Sequence, residues 1–389
     1  MLVRCRRTVD NIGRLLMFLA LRELVFARTR FLLMGGVVAL VAVLVVLLSG
    51  LSAGLVNDGV SGLKRTPVTD FAFAEGTGTD AAFTRSVIET DQVGTMAGQP
   101  GVLEAAPYGL LLANAHQEDG SPVDLTLVGV EPGSFVAPAA MAEGDAVGAA
   151  DGIVVSATAA EDGLAVGDTV ALARPERTLT VVGVLEDQHT FGHVDIAYLP
   201  LGTWQELLAG AEQPGADVPD VATAVALRTD PGSFDREAAD AASGTVTRTL
   251  TESFDASPGY TAETATLLLI QVFLYAISAL VVGAFFTVWV IQRRHEIAVM
   301  RAMGARRRFL LADSLGQAAV LLLASIGVGF ALGVAAGAGL GASPMPFALQ
   351  APDLVLAGVL LFVLGMAGAA VAVARVTSVD PLTALGGQR

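Results

Sequence analysis

The sequence predicts a membrane protein with four transmembrane α-helices and one large extracellular α+β domain between the first and second helix. Two observations lead to this prediction: the length of the uncharged segments and the segregation of charge. Hydrophobic residues make up 53% of the 389 positions and charged residues only 16%. A soluble globular domain carries about 25% charged residues. The composition therefore excludes an ordinary soluble protein.

The apolar residues are concentrated in four uncharged segments, each long enough for a span, which needs about 20 residues. These are Phe31–Val56, Thr264–Gln292, Ser314–Pro352 and Leu354–Ala374. The third is too long for one helix, and its prolines and Ser343 favour a loop in its second part. We therefore expect helices at 31–56, 261–292, 314–340 and 354–374, with an outer loop at 341–353.

The charged residues predict the orientation. Between Val56 and Tyr260 there are 31 acidic and 8 basic residues, whereas the rest of the chain has 7 acidic and 15 basic residues. Arginines near the ends of spans mark the cytoplasmic side. They precede the first segment, separate the second from the third, and follow the fourth at Arg375. We expect a multi-pass protein of the plasma membrane with cytoplasmic termini, residues 57–260 outside, and no nucleic-acid partner.

The two ends of the chain are expected to be short cytoplasmic segments. Residues 1–30 include the stretch RLLMFLALRELVFARTR, in which arginines alternate with apolar residues. This pattern is typical of an amphipathic helix that lies on the membrane lipid. Residues 375–389 form the tail.

Residues 57–260 are long enough for a domain of their own. Short β-type runs separated by turn residues dominate it. The runs are Leu125–Val130, Gly152–Ser156, Thr169–Leu172 and Thr178–Leu185. A short helix is expected in ATAAEDGLAVGD, between the second and third run. Mixed strands and helices predict an α+β domain.

Glycines recur at every fourth position in two of the apolar segments. The first has Gly50 and Gly54, and the third has a series from Gly329 to Gly341. Small residues at this spacing allow close approach of helices. The alternative is that they reflect a chain rich in Ala, Gly and Val throughout.

The loop after the second apolar segment, residues 293–313, lies in the stretch RRHEIAVMRAMGARRRFLLADSL. This stretch resembles the recurrent cytoplasmic loop of MacB/FtsX-type ABC permeases: a basic start, a Glu-Ile pair, Arg-Ala, Gly-Ala and further arginines. The ectodomain phrase VVSATAAEDGLAVGDTVAL and the closing DPLTAL are also similar to that family. The resemblance implies a four-helix permease that works as a homodimer on two cytoplasmic ABC ATPase subunits.

The residues that would couple this chain to an ATPase follow from the loop. The expected coupling residues are Arg294, Glu296, Ile297, Met300, Arg301 and Gly304. All except Met300 match the family's loop, and Met300 is included because it belongs to an apolar pattern. Ile297, Met300 and Met303 form an apolar stripe within this loop, and such a stripe on a charged helix suits a groove on a soluble partner. The alternative is a solvated loop whose arginines only set orientation, which leaves the apolar residues unexplained.

No phosphate loop of the GxxxxGK[ST] type occurs in the sequence. We therefore expect no enzymatic activity and no cofactor of its own. ATP and Mg²⁺ would bind the partner subunit.

Tyr260 and Glu263 stand one helical turn apart at the outer end of the second apolar segment. Ionisable residues at this depth are candidates for a substrate site, and this pair could ligate a metal-bearing or cationic amphiphile entering from the lipid. The alternative is structural. A Glu near a helix start favours the helix dipole, and Tyr belongs to the interfacial aromatic belt.

The N-terminal block LALRELVFARTRFLLMGG, together with GYTAE, is most similar to the haem-exporting permeases of Gram-positive bacteria. This resemblance implies haem as the substrate and the outer mouth between two subunits as its site. On this chain it implies Glu263 as a haem-iron ligand, with Tyr260 beside it. His189 and His193, four residues apart, could share a metal on a helix, but Gly192 and the following IAYLP favour strand and loop.

Three functions are compatible with these features. The first is efflux of haem or a similar amphiphile from the outer leaflet. The second is MacB-like export of peptides, antibiotics or lipoproteins. The third is FtsX-like transmission of ATPase motion to an extracellular hydrolase.

Overall fold

The structure is a computed structural model that describes residues 28–292, 299, 303, 307–341 and 345–377. Leu55–Thr264 form one compact unit, and the described residues outside that range form a second. The amphipathic helix expected within 1–30 and the tail at 375–389 lie almost wholly outside the described residues, so both stay predictions.

The described residues contain ten α-helices, numbered here in chain order. They are α1 (Arg28–Arg65), α2 (Ala82–Arg85), α3 (Thr90–Ala97), α4 (Ala157–Glu161), α5 (Leu201–Leu208), α6 (Arg236–Ser243), α7 (Leu250–Ser253), α8 (Tyr260–Gln292), α9 (Arg307–Leu340) and α10 (Ala351–Thr377). Short 3₁₀ turns occur at Thr79–Ala81 and Phe254–Ala256.

Among the described residues, four helices are long and apolar enough to cross a membrane. The spans are Leu32–Arg65 in α1, Tyr260–Gln292 in α8, Leu311–Leu340 in α9 and Ala351–Ala374 in α10. The predicted number of membrane helices and their order around one large domain are confirmed. Helix α1 does not end near Val56, where the uncharged segment ends, but continues to Arg65.

Close packing in the membrane unit depends on glycine. An added Cβ at Gly329 would overlap the carbonyl oxygen of Ala39 on α1, and one at Gly333 would lie 2.8 Å from Val46 Cβ. Gly337 faces the ring of Phe347 in the same way. These glycines therefore form an intramolecular packing face between α9, α1 and the segment before α10, as small residues do in membrane helix pairs.

The ectodomain is built on a mixed β-sheet. Its strands are β1 (Asp70–Ala74), β2 (Ile88–Glu89), β3 (Val102–Gln117), β4 (Pro122–Val130), β5 (Met141–Gly144), β6 (Gly152–Val155), β7 (Thr169–Leu172), β8 (Arg177–Leu185), β9 (Thr190–Phe191), β10 (Val194–Pro200), β11 (Val221–Ala222), β12 (Ala224–Thr229) and β13 (Thr245–Thr249). Within the described residues, eleven strands share one sheet in the order β13-β1-β12-β3-β4-β10-β6-β8-β5. Off that path, β7 pairs with β3 and β8, and β9 pairs with β10, while β2 and β11 form a separate pair.

The sheet is covered on both faces, as alternation along β10 shows. Ile196 and Tyr198 belong to one buried cluster, whereas Ala197 and Leu199 belong to another. Successive side chains of a strand point to opposite faces, so each cluster fills one side of the sheet. The strand runs and the short helix predicted between 125 and 185 are confirmed, with Thr169–Leu172 matching β7.

Candidate functional site

The last turns of α1 belong to the ectodomain unit. Val60 has non-helical backbone angles, φ −145° and ψ 20°, and the helix is kinked there. The carbonyl of Gly59 accepts hydrogen bonds from the Gly192 amide, at 2.9 Å, and from the Ser257 hydroxyl, at 2.9 Å. A buried carbonyl needs such partners. The kink thus joins α1 to a hairpin turn and to the turn before α8.

Residues 187–193 of the ectodomain, here called the strip, run alongside the last turns of α1. Arg65 pairs with Asp187 at 2.6 Å. The Ser61 hydroxyl accepts the Thr190 amide at 2.8 Å. The Gln188 side chain makes hydrogen bonds with two residues of α1. Its oxygen accepts from the Asn57 amide, and its nitrogen donates to Asp58 Oδ1 at 3.0 Å. The final turns of α1 are therefore fixed to this strip by hydrogen bonds along its length.

The tip of the strip is a tight hairpin. Phe191 of β9 pairs with Val194 of β10, so the connection consists of Gly192 and His193 alone. Both have positive φ, 60° and 65°. Two successive residues with positive φ are typical of the type I′ turn, which suits the twist of a two-residue hairpin. The turn places the His193 imidazole beside the membrane helices' outer residues within this unit.

His193 bridges two carboxylates from distant parts of the sequence. Its Nδ1 lies 2.8 Å from Asp58 Oδ2, and its Nε2 lies 3.1 Å from Glu263 Oε2. The side chains of Asp58, His193 and Glu263 are 25%, 30% and 40% exposed, so solvent reaches the cluster. Asp58 belongs to α1 and Glu263 to the first turn of α8.

The geometry indicates the charge state of His193. A neutral imidazole has one N–H donor, and its other nitrogen carries a lone pair. That lone pair would point at a carboxylate oxygen, which can only accept a hydrogen bond. Both nitrogens donate only when the ring is an imidazolium. Partial burial lowers the pKa of His193, but the hydrogen bond to Asp58 and the charges of Glu263 and Asp58 outweigh it, and the pKa is raised. As an imidazolium, the ring donates one hydrogen bond toward Asp58 and one toward Glu263.

Tyr260 lies beside this cluster. Its ring packs edge-on against Phe254, with ring centroids 6.0 Å apart. A Cβ added at Gly59 would lie 3.9 Å from the Tyr260 ring and 3.8 Å from His193 Cε1. Both rings therefore flank Gly59, and the structure brings the two predicted residues, Tyr260 and Glu263, to one site.

His189 belongs to the same strip, residues 187–193, but its hydrogen-bond partners lie outside the cluster of Asp58, His193 and Glu263. It is buried, and its Nδ1 lies 2.8 Å from Tyr198 Oη. Burial lowers the pKa of His189 to about 4, with a smaller contribution from the charge of Arg65. His189 and Tyr198 line a cavity of about 460 Å³ together with the Phe135–Ala140 segment.

The two histidines thus contact different partners, in the strand and loop conformation that the sequence favoured. Among the described residues, no group of three His, Cys, Asp or Glu side chains has an arrangement suited to a metal ion. A metal shared by His189 and His193 is not supported.

The predicted ATPase-coupling residues cannot be placed. Arg294, Glu296, Ile297, Met300, Arg301 and Gly304 lie outside the described residues. Met303, from the same apolar stripe, is described and is 76% exposed. The coupling assignment stays a prediction.

Sequence reasoning missed Asp58 and the role of His193 as a bridge. A signal for Asp58 existed: it stands two residues after the first uncharged segment, just as Glu263 directly precedes the second. Carboxylates at the outer ends of two spans could have been paired. His193 had no such signal, because its position depends on the hairpin.

Comparison with known proteins decides the family. The MacB-like periplasmic core domain matches residues 31–245, and the FtsX-like permease C-terminal domain matches residues 268–381. Together these two matches cover nearly all of α1, most of the ectodomain and the three later membrane helices from residue 268 onward. The chain belongs to the MacB/FtsX-type ABC permeases. It is a multi-pass permease subunit with an extracellular domain, and a permease of this family works with an ATPase subunit.

Three curated proteins are similar in sequence to this permease. A candidate hemin transport system permease protein, HrtB, of Staphylococcus epidermidis is 20% identical, covering 95% of this chain and 99% of that protein. HrtB of Staphylococcus haemolyticus is 31% identical over 33% of this chain and 36% of that protein. An uncharacterized ABC transporter permease of Mycobacterium tuberculosis is 23% identical over 96% of this chain and 100% of that protein.

Two solved structures are similar to part of this chain. The periplasmic region of MacB from Actinobacillus actinomycetemcomitans aligns at 15% identity and a TM-score of 0.35, covering 48% of this chain and 90% of that one. The extracellular domain of YknZ from Gram-positive bacteria aligns at 14% identity and a TM-score of 0.32, covering 42% and 83%.

Proposed function

We propose that this permease expels haem, or a similar amphiphile with a cationic centre, from the outer leaflet, using energy from its partner ATPase. The observation that carries the proposal is the position of Glu263. It lies in the first turn of α8, directly before 29 uncharged residues, with 40% of its side chain exposed. The likeness to permeases named for hemin transport supports the same substrate.

The chemistry of the cluster suits such a substrate. With His193 protonated, two carboxylates face one imidazolium, which leaves a net negative charge. The Glu263 carboxylate is 40% exposed, so a cation that approaches the cluster can reach it and be attracted by its charge. Ferric iron in haem would be such a cation for Glu263, and the ring of Tyr260 would lie beside the porphyrin.

One subunit supplies a single Glu263, and we propose that two copies of the chain form the complete cleft. The homodimer would stand on two ATPase subunits, which hold ATP and Mg²⁺, so the permease itself needs no cofactor. Membrane lipid would surround the cleft and deliver the substrate laterally. Both termini are cytoplasmic in this proposal.

The test is a titration of ferric haem onto the purified full-length permease in lipid nanodiscs, read by absorption. Glu263→Gln keeps the shape of the side chain and removes its charge. Charge-assisted contacts contribute about 1.5–3 kcal/mol, so the Kd should rise about 10- to 100-fold, with a shifted Soret band. Tyr260→Phe should have a smaller effect.

Asp353→Asn is the matched control, because Asp353 is the acidic residue in the first turn of α10. It should bind haem as the wild type does. Cells that carry Glu263→Gln should lose haem resistance, while cells with Asp353→Asn keep it. Unchanged affinity, spectrum and resistance in Glu263→Gln would reduce Glu263 to a helix-start residue and contradict the proposal.

A further inference from the structure

We infer that His193 is a positioning residue of the capture site: by bridging Asp58 and Glu263 it aims the Glu263 carboxylate at the incoming substrate. The inference rests on the proposed function, because it concerns the same carboxylate. It adds a residue from the ectodomain hairpin to a site that would otherwise consist of membrane-helix residues.

The first support is the geometry of the bridge. Glu263 has no fixed orientation of its own, because a Glu side chain has three rotatable bonds and loses rotamer entropy when it is fixed. Both of its carboxylate oxygens lie within 3.2 Å of His193 Nε2. The imidazole therefore contacts the carboxylate symmetrically and restricts its rotation.

The second support is the rigidity of the element that carries His193. The Gly192 amide donates to Gly59, and the Thr190 amide donates to Ser61. His193 itself is fixed on its far side by Asp58 Oδ2, at 2.8 Å. Asp58 is fixed in turn by the side-chain amide of Gln188. A chain of hydrogen bonds thus runs from the strip to Glu263.

Such a chain has a functional consequence. A ligand that is already oriented binds without the entropy cost of ordering it, which is the basis of preorganisation. A binding site therefore depends on supporting groups that hold its direct contacts in the productive geometry. His193 would then act through Glu263, and its loss should matter only while the Glu263 carboxylate is present.

A double-mutant cycle tests this directly, since residues that act through each other are not additive. His193→Phe keeps a planar ring and removes both nitrogens. In the haem titration it should raise the Kd several-fold in the wild-type background. In the Glu263→Gln background it should change the Kd by less than twofold. Asp58→Asn should also raise the Kd, but by a smaller factor than His193→Phe. Additive effects of His193→Phe and Glu263→Gln, or no effect of His193→Phe, would overturn the inference.

A second cycle without haem separates the inference from the proposed function. The thermal unfolding of the same full-length variants is compared in detergent. His193→Phe and Glu263→Gln should each lower the Tm, and the double variant should lower it no more than the larger single effect. Additive changes of Tm would overturn the bridge whatever the substrate.

The two cycles also distinguish the remaining outcomes. If the Tm changes are non-additive but the wild type binds no haem, the proposed function is refuted. The capture role of His193 is then refuted as well, and only the structural bridge between His193 and Glu263 is supported. Haem binding that is lost in His193→Phe yet unaffected by Glu263→Gln would make His193 the iron ligand. That result would overturn its role as a positioning residue.

Discussion

The Nε2 atom of His193 lies 3.1 Å from Oε2 of Glu263, across 70 residues of sequence. This pair links the tip of an ectodomain hairpin to the first turn of a membrane helix. Because Nδ1 of the same ring contacts Asp58, one imidazole joins the outer residues of α1 and α8. The arrangement makes the Glu263 carboxylate an oriented group rather than a freely rotating one.

The orientation of the chain in the membrane can be tested by labelling intact cells. In a background with Cys5→Ser, a cysteine at Asp119 should react with an impermeant maleimide, because this residue is exposed in the β3–β4 turn of the extracellular domain. A cysteine at Arg307 should react only after the cells are permeabilised, because the arginines there mark the cytoplasmic side. The opposite pattern would invert the topology.

The coupling loop can be tested with its own residues. Purified permease alone should hydrolyse no ATP, and co-purification with its ATPase should give activity. The double variant Glu296→Ala, Arg301→Ala should reduce assembly or transport-coupled hydrolysis, because it removes the charges that flank the apolar stripe. Alanine substitution of Arg375, also near the membrane but outside the loop, is the control. Normal assembly and transport in the double variant would refute the coupling assignment.

The glycine face predicts opposite effects for two neighbouring substitutions on α9. Gly329→Ala would force a methyl group against the Ala39 carbonyl and Ala42, and such overpacking typically costs about 1–3 kcal/mol. Gly327→Ala meets no atom within 4 Å, and Ala favours a helix over Gly by about 1 kcal/mol. Thermal unfolding in detergent should show a lower Tm for Gly329→Ala only. Equal Tm values would show that α9 and α1 tolerate a wider separation.

His189 predicts that the ectodomain loses stability in acid. Its pKa is about 4 in the folded chain and 6.5 when unperturbed. Between these values the unfolded state binds the proton and the folded state does not, so the free energy of unfolding falls as the pH drops from about 6.5 to about 4. The loss is at most about 3 kcal/mol.

The measurement compares urea unfolding of the full-length wild type and His189→Gln at pH 7 and pH 4.5. The variant should lose less stability than the wild type over this interval. His116→Gln, at an exposed position of β3, should behave like the wild type. A variant with the same acid sensitivity as the wild type would show that His189 does not contribute to it.

Much of the fold could be predicted from the sequence because its signals are local. Long uncharged runs identified the four membrane helices, and short β-type runs identified β6, β7 and β8 within the ectodomain. Glu263 stood out because it lies one helical turn from Tyr260 at the outer end of an apolar segment. These features depend on residues that are neighbours in the chain, and burial of apolar surface follows from them directly.

The site itself was decided by the tertiary structure. Asp58, His193 and Glu263 belong to three separate segments, and no periodicity relates them. They meet because α1 is kinked at Val60 and because a two-residue turn directs His193 toward both carboxylates. Composition by itself determined that this chain crosses a membrane and carries an acidic domain outside it. Long-range hydrogen bonds decided which side chain contacts Glu263. Their partners depend on backbone geometry, which no pattern in the sequence shows.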